Sequence, residues 1–345
     1  GVLYAEATAE LVQLAEFLQT PVMTTLSGKS AFPEHHPLSV GTGSRSTTGG
    51  VYHFLRHADL LFGIGCSLAR SGFAVPIPSG PVLVHATNDA DDINKDYPCR
   101  YPLVGDARLV LTQLLEELRK QAGVHGRPAN PTLLEEIQTA KETWLEQWRP
   151  KLTSDEVPIN PYRVIWDLMH TVDLDHVIVT HESGSAREQV VPFWEARHPR
   201  SFIGWGKSTQ LGYSLGLAMG AKLAAPEKDV IHIMGDAAFG MVGMDIETAV
   251  RAHIPIITII LNNGTMAIYP DNRFPVANER YQTKKLSGNF AEVAQALGAY
   301  SERISAVQDI VPAIRRAQEM TRSGRPAVLE YITKEEGAYS TFRFD

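Results

Sequence analysis

Short, almost wholly apolar runs, each followed by a helix-like stretch, constrain the fold of this chain more than any other feature. In the second half these runs are His176–Thr180, Val230–Met234, Pro255–Leu261 and Ala327–Ile332. In the first half they are Pro21–Thr25, Asp59–Gly63 and Pro81–Ala86. A strand apolar on both sides belongs in a sheet covered on both faces, the arrangement of parallel α/β sheets. Helix-like stretches separate the runs: Ala5–Leu18, Gly50–His57 and Ala107–Gln121, then Val164–His170, Ser208–Lys222, Met244–Ala252, Phe290–Leu297 and Ala306–Arg322. The fold class expected is α/β, as two doubly wound domains with mostly parallel sheets.

At about 150 residues per domain, 345 residues suggest two domains. Composition shifts near Gly123, Gly126, Pro128 and Pro131, and again at Pro150, Pro158 and Pro161, with a polar helix expected over Thr132–Arg149. The domains are therefore expected at 1–125 and 158–345, with 126–157 as connector. With 32 Lys+Arg against 39 Asp+Glu, the net charge of −7 argues against a nucleic-acid footprint or a polybasic membrane patch. The apolar run Ile254–Leu261 is far too short to span a bilayer. Two cysteines, Cys66 and Cys99, make no disulfide framework, so a cytoplasmic setting is expected. The first residue is Gly1 rather than Met, so the chain is expected to be processed or part of something longer.

The most informative segment is Gly235-Asp236-Ala237-Ala238-Phe239-Gly240, followed after a helix and a strand by Leu261-Asn262-Asn263-Gly264. Asp236 and Asn263 each fall just past a strand, at the carboxyl edge of a parallel sheet, where ligands collect. A carboxylate and an amide carbonyl are hard oxygen ligands that suit Mg²⁺ bridging to phosphate. A helix expected after Gly240 would aim backbone N–H groups at the same spot. Gly-Asp and Asn-Asn-Gly are each common turns by themselves. Their 26-residue separation, from Asp236 to Asn262, fits one helix plus one strand and makes the pair more specific.

This pair resembles the thiamine-diphosphate binding motif, and the wider sequence resembles the acetolactate synthase-like branch of thiamine-diphosphate enzymes. Leu211-Gly212-Tyr213-Ser214-Leu215-Gly216 is similar to that branch's Met-Gly-Tyr-Gly-Leu-Pro stretch. Thr24-Thr25-Leu26-Ser27-Gly28-Lys29-Ser30-Ala31-Phe32-Pro33 and Val104-Gly105-Asp106-Ala107 resemble runs of its middle domain. The resemblance implies Mg²⁺ on the side chains of Asp236 and Asn263 and the carbonyl of Thr265. It implies diphosphate at Gly235, Ala237 and Ala238, with the loop Glu182, Ser183, Gly184 and Ser185 closing over it and Met266 beside it. Leu211 would hold the cofactor bent, and the Thr209 carbonyl would accept a hydrogen bond from its 4′-amino group.

Two positions depart from the family pattern: Ala237 replaces the third-position Gly, and Leu211 stands where acetolactate synthases have Met. His181 is a candidate substrate contact, although a lone His is more often structural. His35-His36 lacks partners at metal-ligand spacing, and Cys66 lacks a nearby base, so burial is expected for it. Asp89–Asp92 suits a helix cap or a nucleotide contact. Ala86-Thr87-Asn88 replaces the acidic stretch usual where relatives hold FAD or ADP, so FAD is not expected. The small residues of Ser214–Gly220 suit close helix packing.

The resemblance also implies a catalytic Glu on a separate pyrimidine-binding domain, which no Glu of this chain matches. A second polypeptide, separately encoded or cleaved from a common precursor, is expected to supply it, in a homodimeric or heterotetrameric assembly. The implied activity is a thiamine-diphosphate-dependent lyase, decarboxylase or carboligase acting on a 2-keto acid or related carbonyl. The alternative is a non-catalytic regulatory subunit that keeps the fold. Ala267–Tyr281 and Gly337–Asp345 read as mobile segments able to close over the site.

Overall fold

The computed structural model describes residues 1–270 and 272–343. The chain forms two compact units. The first comprises residues 1–147, 195–201 and the tail from Ser340; the second comprises 148–194 and 202–339.

The first unit begins with α1 (Thr8–Leu18), β1 (Val22–Thr25) and β2 (Ser39–Gly43). It continues through α2 (Gly49–His57), β3 (Leu60–Ile64), β4 (Val82–Thr87), β5 (Tyr101–Val104) and α3 (Ala107–Ala122). The strands pair in parallel as β1–β2 and as β3–β4–β5. Local chemistry sets the helix starts. The Thr48 hydroxyl accepts from the Val51 amide at the start of α2, and the Asp106 carboxylate accepts from the Arg108 and Leu109 amides at the start of α3. Helix α4 (Pro131–Leu152) carries the chain from one unit to the other. Within the stretch expected as connector, residues 131–147 belong to the first unit, and Ile137 lies in its core with Phe32, Leu38 and Val51.

The second unit contains α5 (Pro161–Thr171), β6 (Val177–His181), α6 (Ser185–Val190), β7 (Phe202–Ile203), α7 (Tyr213–Ala224) and β8 (Asp229–Gly235). After these come α8 (Asp236–Val242), α9 (Ile246–Arg251), β9 (Ile257–Asn262), α10 (Pro275–Tyr281), α11 (Phe290–Ala296), β10 (Tyr300–Ile304), α12 (Ile310–Arg322) and β11 (Ala327–Ile332). Its six strands form one parallel sheet in the order β10-β11-β9-β8-β6-β7. Strands β11, β9, β8 and β6 occupy the interior, with β10 and β7 at the edges. On one face, Leu215, Ala218, Val230, Ile246, Ile256 and Ile260 join a single core. Burying such side chains at roughly 25 cal/mol per Å² is what holds the layers together.

The α/β class and the parallel sheets agree with the sequence expectation. Several elements differ in detail. The helix expected after Gly240 begins at Asp236, directly off β8, and is broken by a 3₁₀ turn at Gly243–Asp245 before α9. The stretch Ser208–Lys222 turns helical only at Tyr213, because Gly212 sits at φ +93°. The loop expected over Glu182–Ser185 shortens to 182–184, since α6 starts at Ser185. The segment expected as a mobile loop over Ala267–Tyr281 contains α10. Asp271 of that segment, with Phe344 and Asp345 of the tail, lies outside the described residues. Among the described residues no helix is long and apolar enough to cross a membrane.

Candidate active site at the strand ends of the second unit

Strand β8 ends at Gly235 and its neighbour β9 ends at Asn262, so Asp236 and Asn263 leave the sheet side by side. Both strands are parallel and central, which makes this the carboxyl edge where α/β sheets take ligands. Asp236 Oδ1 accepts from the Ala237 amide at 2.8 Å, and Oδ2 accepts from the Gly264 amide at 2.8 Å. Asn263 Oδ1 accepts from the amide and the hydroxyl of Thr265, each at 3.0 Å. Gly264 makes this turn at φ +69°, a conformation that costs a residue with a Cβ about 1–2 kcal/mol.

Asp236 is buried, and desolvation pushes its pKa up to about 6 against the opposing backbone N–H groups of Ala237, Gly264 and Asn263. A carboxylate so placed lacks a positive charge. The Asp236 carboxylate and the Asn263 amide oxygen are hard oxygen donors of the kind a divalent cation such as Mg²⁺ takes. Among the described residues no three His, Cys, Asp or Glu cluster as metal ligands. A Cβ built on Gly184, Gly235 or Gly240 would meet nothing within 4 Å, so the backbone borders open space at all three. Ala237 is half-buried and Ala238 buried in the first turn of α8.

The segment between β7 and α7 supplies the other expected residues. Thr209 is exposed, and Leu211 is half-buried against the core that holds Ile178 and Leu215. Ser208 is held from below: its carbonyl accepts from Ser183 Oγ at 3.1 Å and from Arg187 Nη1 at 2.9 Å. Ser185 Oγ pairs with Tyr339 Oη at 2.8 Å. Glu182 is fully buried, and its carboxylate points inward to the Ser183 and Gly212 amides and the Ser214 hydroxyl. His181 is also buried, stacked on Phe202, and its Nε2 lies so near the backbone that a Cβ on Gly204 would stand 2.0 Å from it. Met266 is half-buried and donates its amide to the Lys284 carbonyl.

The remaining sequence candidates sit elsewhere. His36 faces Glu16 and packs edge-on against Phe32. Cys66, expected buried, is half-buried. Asp89 accepts from the Asp91 amide and caps a 3₁₀ turn. The first unit has its own cleft of about 710 Å³, where Arg70 lies 4.7 Å over the Tyr97 ring. Of two further buried groups of the second unit, Ser214 stood in the sequence reading only as a small residue suited to helix packing, and His232 was not singled out. For His232 a signal existed, since it is the one polar residue of the run Val230–Met234.

Comparison with known proteins gives these features a context. Residues 182–331 match the family described as thiamine pyrophosphate enzyme, C-terminal TPP binding domain, and residues 1–114 match thiamine pyrophosphate enzyme, central domain. The chain is 30% identical to the "Probable acetolactate synthase large subunit" of Methanocaldococcus jannaschii, over 96% of this chain and 56% of that protein. It is 29% identical to the acetolactate synthase large subunit of Corynebacterium glutamicum, over 97% of this chain and 54% of that protein. It is 28% identical to the acetolactate synthase of Mycobacterium leprae, over 96% and 53% respectively. The chain thus spans about half the length of the curated relatives it matches. With acetolactate synthases among the relatives aligned along nearly all of it, and with both domain families matched in order, the chain belongs to the thiamine pyrophosphate enzymes.

Proposed function

We propose that this chain forms the diphosphate-binding half of a thiamine-diphosphate-dependent lyase, decarboxylase or carboligase that acts on a 2-keto acid or related carbonyl compound. The observation that carries the reading is the pairing of Asp236 and Asn263 at adjacent strand ends, tied by the Gly264 amide. In this reading Asp236, Asn263 and the Thr265 carbonyl hold Mg²⁺, and the cation relieves the desolvated Asp236 carboxylate. Gly235, Ala237 and the Ala238 amide would hold the diphosphate together with the loop Ser183, Gly184 and Ser185. Leu211 would support the cofactor, the Thr209 carbonyl would accept a hydrogen bond from its amino group, and Met266 would border it. When bound, thiamine diphosphate supplies a nucleophilic carbon and an electron sink for breaking the bond beside a carbonyl. The protein's part is to bind, bend and orient it and to keep the diphosphate charge neutralised.

A pyrimidine-domain polypeptide completes the site by contributing a Glu to the cofactor ring. Two experiments test the proposal. Titration with thiamine diphosphate should show Mg²⁺-dependent binding that Asp236→Ala abolishes; unchanged affinity in the variant would sink the assignment. Denaturing mass spectrometry of the native material should reveal a second polypeptide, and turnover of 2-keto acids should require it. Full turnover by the 38 kDa chain alone would refute the shared site.

A further inference from the structure

We propose that Glu182, Ser214 and His232 form a buried hydrogen-bond relay that sets the backbone of residues 208–212, making them positioning residues rather than cofactor contacts. This rests on the reading above, in which that segment carries Thr209 and Leu211 to the cofactor. The three residues come from three elements: Glu182 just past β6, Ser214 in the first turn of α7, and His232 in the middle of β8. All three are essentially inaccessible to solvent.

The geometry assigns the protons. Glu182 Oε2 lies 2.7 Å from Ser214 Oγ, and Ser214 Oγ lies 2.6 Å from His232 Nε2. Glu182 also accepts from the Ser183 amide through Oε1 and from the Gly212 amide through Oε2, each at 3.0 Å. Every one of these contacts offers the carboxylate a donor, which is the pattern of an ionised group. Ser214 then spends its proton on Glu182 and must accept from His232, so the imidazole carries its proton on Nε2. Its Nδ1 has no partner among the described residues. A bare acceptor there is less costly than the orphaned N–H that the other tautomer would bury. Burial beside His181 depresses the His232 pKa to about 3, which keeps the ring neutral.

The consequence falls on one amide. Gly212 adopts φ +93° and donates to the same Oε2 that receives Ser214. At the other end of the segment, Ser183 and Arg187 hold the Ser208 carbonyl. Thr209, Gln210 and Leu211 are suspended between these two anchors. Tyr213 adds a third tie by donating to the His181 carbonyl at 2.7 Å. Replacing the His232 donor leaves Ser214 free to rotate and loosens the carboxylate from Gly212.

The test compares His232→Leu, which removes the donor, with His232→Gln, which keeps an N–H near the Nε2 position, and with Ser214→Ala as an independent break. Amide exchange is followed at Gly212 in the chain without added cofactor, and thiamine diphosphate is titrated in Mg²⁺ buffer. We expect His232→Leu and Ser214→Ala to speed Gly212 exchange and weaken cofactor binding, each on the order of tenfold. Protection across β10 and β11 should stay unchanged, and His232→Gln should recover most of both losses. Unchanged exchange in the Leu and Ala variants, or a Gln variant no better than Leu, overturns the relay. Faster exchange with rescue but unaltered cofactor affinity keeps the relay as a loop anchor and overturns the placement of Thr209 and Leu211 against the cofactor.

Discussion

The Gly264 amide donates to the Asp236 carboxylate at 2.8 Å, across 28 residues of sequence. That bond joins the two strand-end turns into one rigid piece before any ligand arrives, so two halves of a cation site are aligned in advance. Preorganisation of this kind lowers the cost of binding, because the donors need no reordering.

Cofactor binding should titrate with Asp236. Burial raises its pKa to about 6, and a cation competes with the proton for the same oxygens. Affinity for Mg²⁺ and thiamine diphosphate should fall about tenfold per pH unit below 6 and level off above it. The sign for the unliganded fold is opposite. With the folded pKa above the ordinary carboxylate value, this group's contribution to stability is greatest at low pH and is lost as pH rises from about 4 to about 6, by roughly 3 kcal/mol. Calorimetric titrations across this range, with thermal melts in parallel, would check both. A flat affinity profile would rule out Asp236 as the competing group.

Two glycines should respond differently to alanine. At Gly264 a Cβ would meet only the Leu286 carbonyl at 3.6 Å, so Gly264→Ala carries the positive-φ strain alone, about 1–2 kcal/mol. At Gly212 a Cβ would stand 2.5 Å from Val242 Cγ1, adding a clash to the strain of φ +93°. Gly212→Ala should cost about 2–4 kcal/mol. Chemical denaturation should rank Gly212→Ala below Gly264→Ala in stability; the reverse order would contradict the geometry.

Leu211 is half-buried in the core that holds Ile178 and Leu215. If it also supports the cofactor, Leu211→Ala should lower kcat at least tenfold in the completed enzyme while diphosphate-driven affinity falls less. Leu211→Met keeps the bulk and should stay within about threefold of the parent. Equal behaviour of Ala and Met would show that Leu211 serves only the core.

In the first unit, Lys29 Nζ lies 2.6 and 2.5 Å from the two oxygens of Glu34, with Lys29 and Glu34 both buried. Desolvation lowers the Lys29 pKa against the attraction of Glu34. Lys29→Met should destabilise the unit by about 3–5 kcal/mol by leaving a buried carboxylate unpaired. Adding Glu34→Gln should recover part of that loss. A double variant as unstable as the sum of the two single changes would show no coupling between them.

The sequence made the strand ends legible because β8 and β9 are continuous apolar runs whose limits are set by the first polar residue after them. That logic ended the strands at Met234 and Leu261, one residue short of the observed Gly235 and Asn262, and put Asp236 and Asn263 just past them. It failed where side chains cap or tether rather than alternate. Two glycines in Ser39–Gly43 mask the strand preference of Val40 and Thr42, yet the segment forms β2, with Thr24 and Thr42 bonded across the pair at 2.9 Å. The start of α8 at Asp236 was hidden by two glycines that suggested a longer turn. Glu182 sat in a polar stretch that suggested a ligand loop, and its inward direction depends on Gly212 and Ser214, thirty and more residues away. Such contacts leave no periodic trace.

Residues 195–201 and the tail from Ser340 return to the first unit after the chain has entered the second. Within that first unit the Ala196 amide donates to Glu34 Oε2, and the Ala196 carbonyl accepts from the Glu34 amide. A gene fragment ending near Leu152 would therefore encode the first unit without the strand of backbone that closes around Glu34. Evolutionary or laboratory shuffling of these two units cannot be done with a single crossover; it needs four junctions cut and rejoined in register.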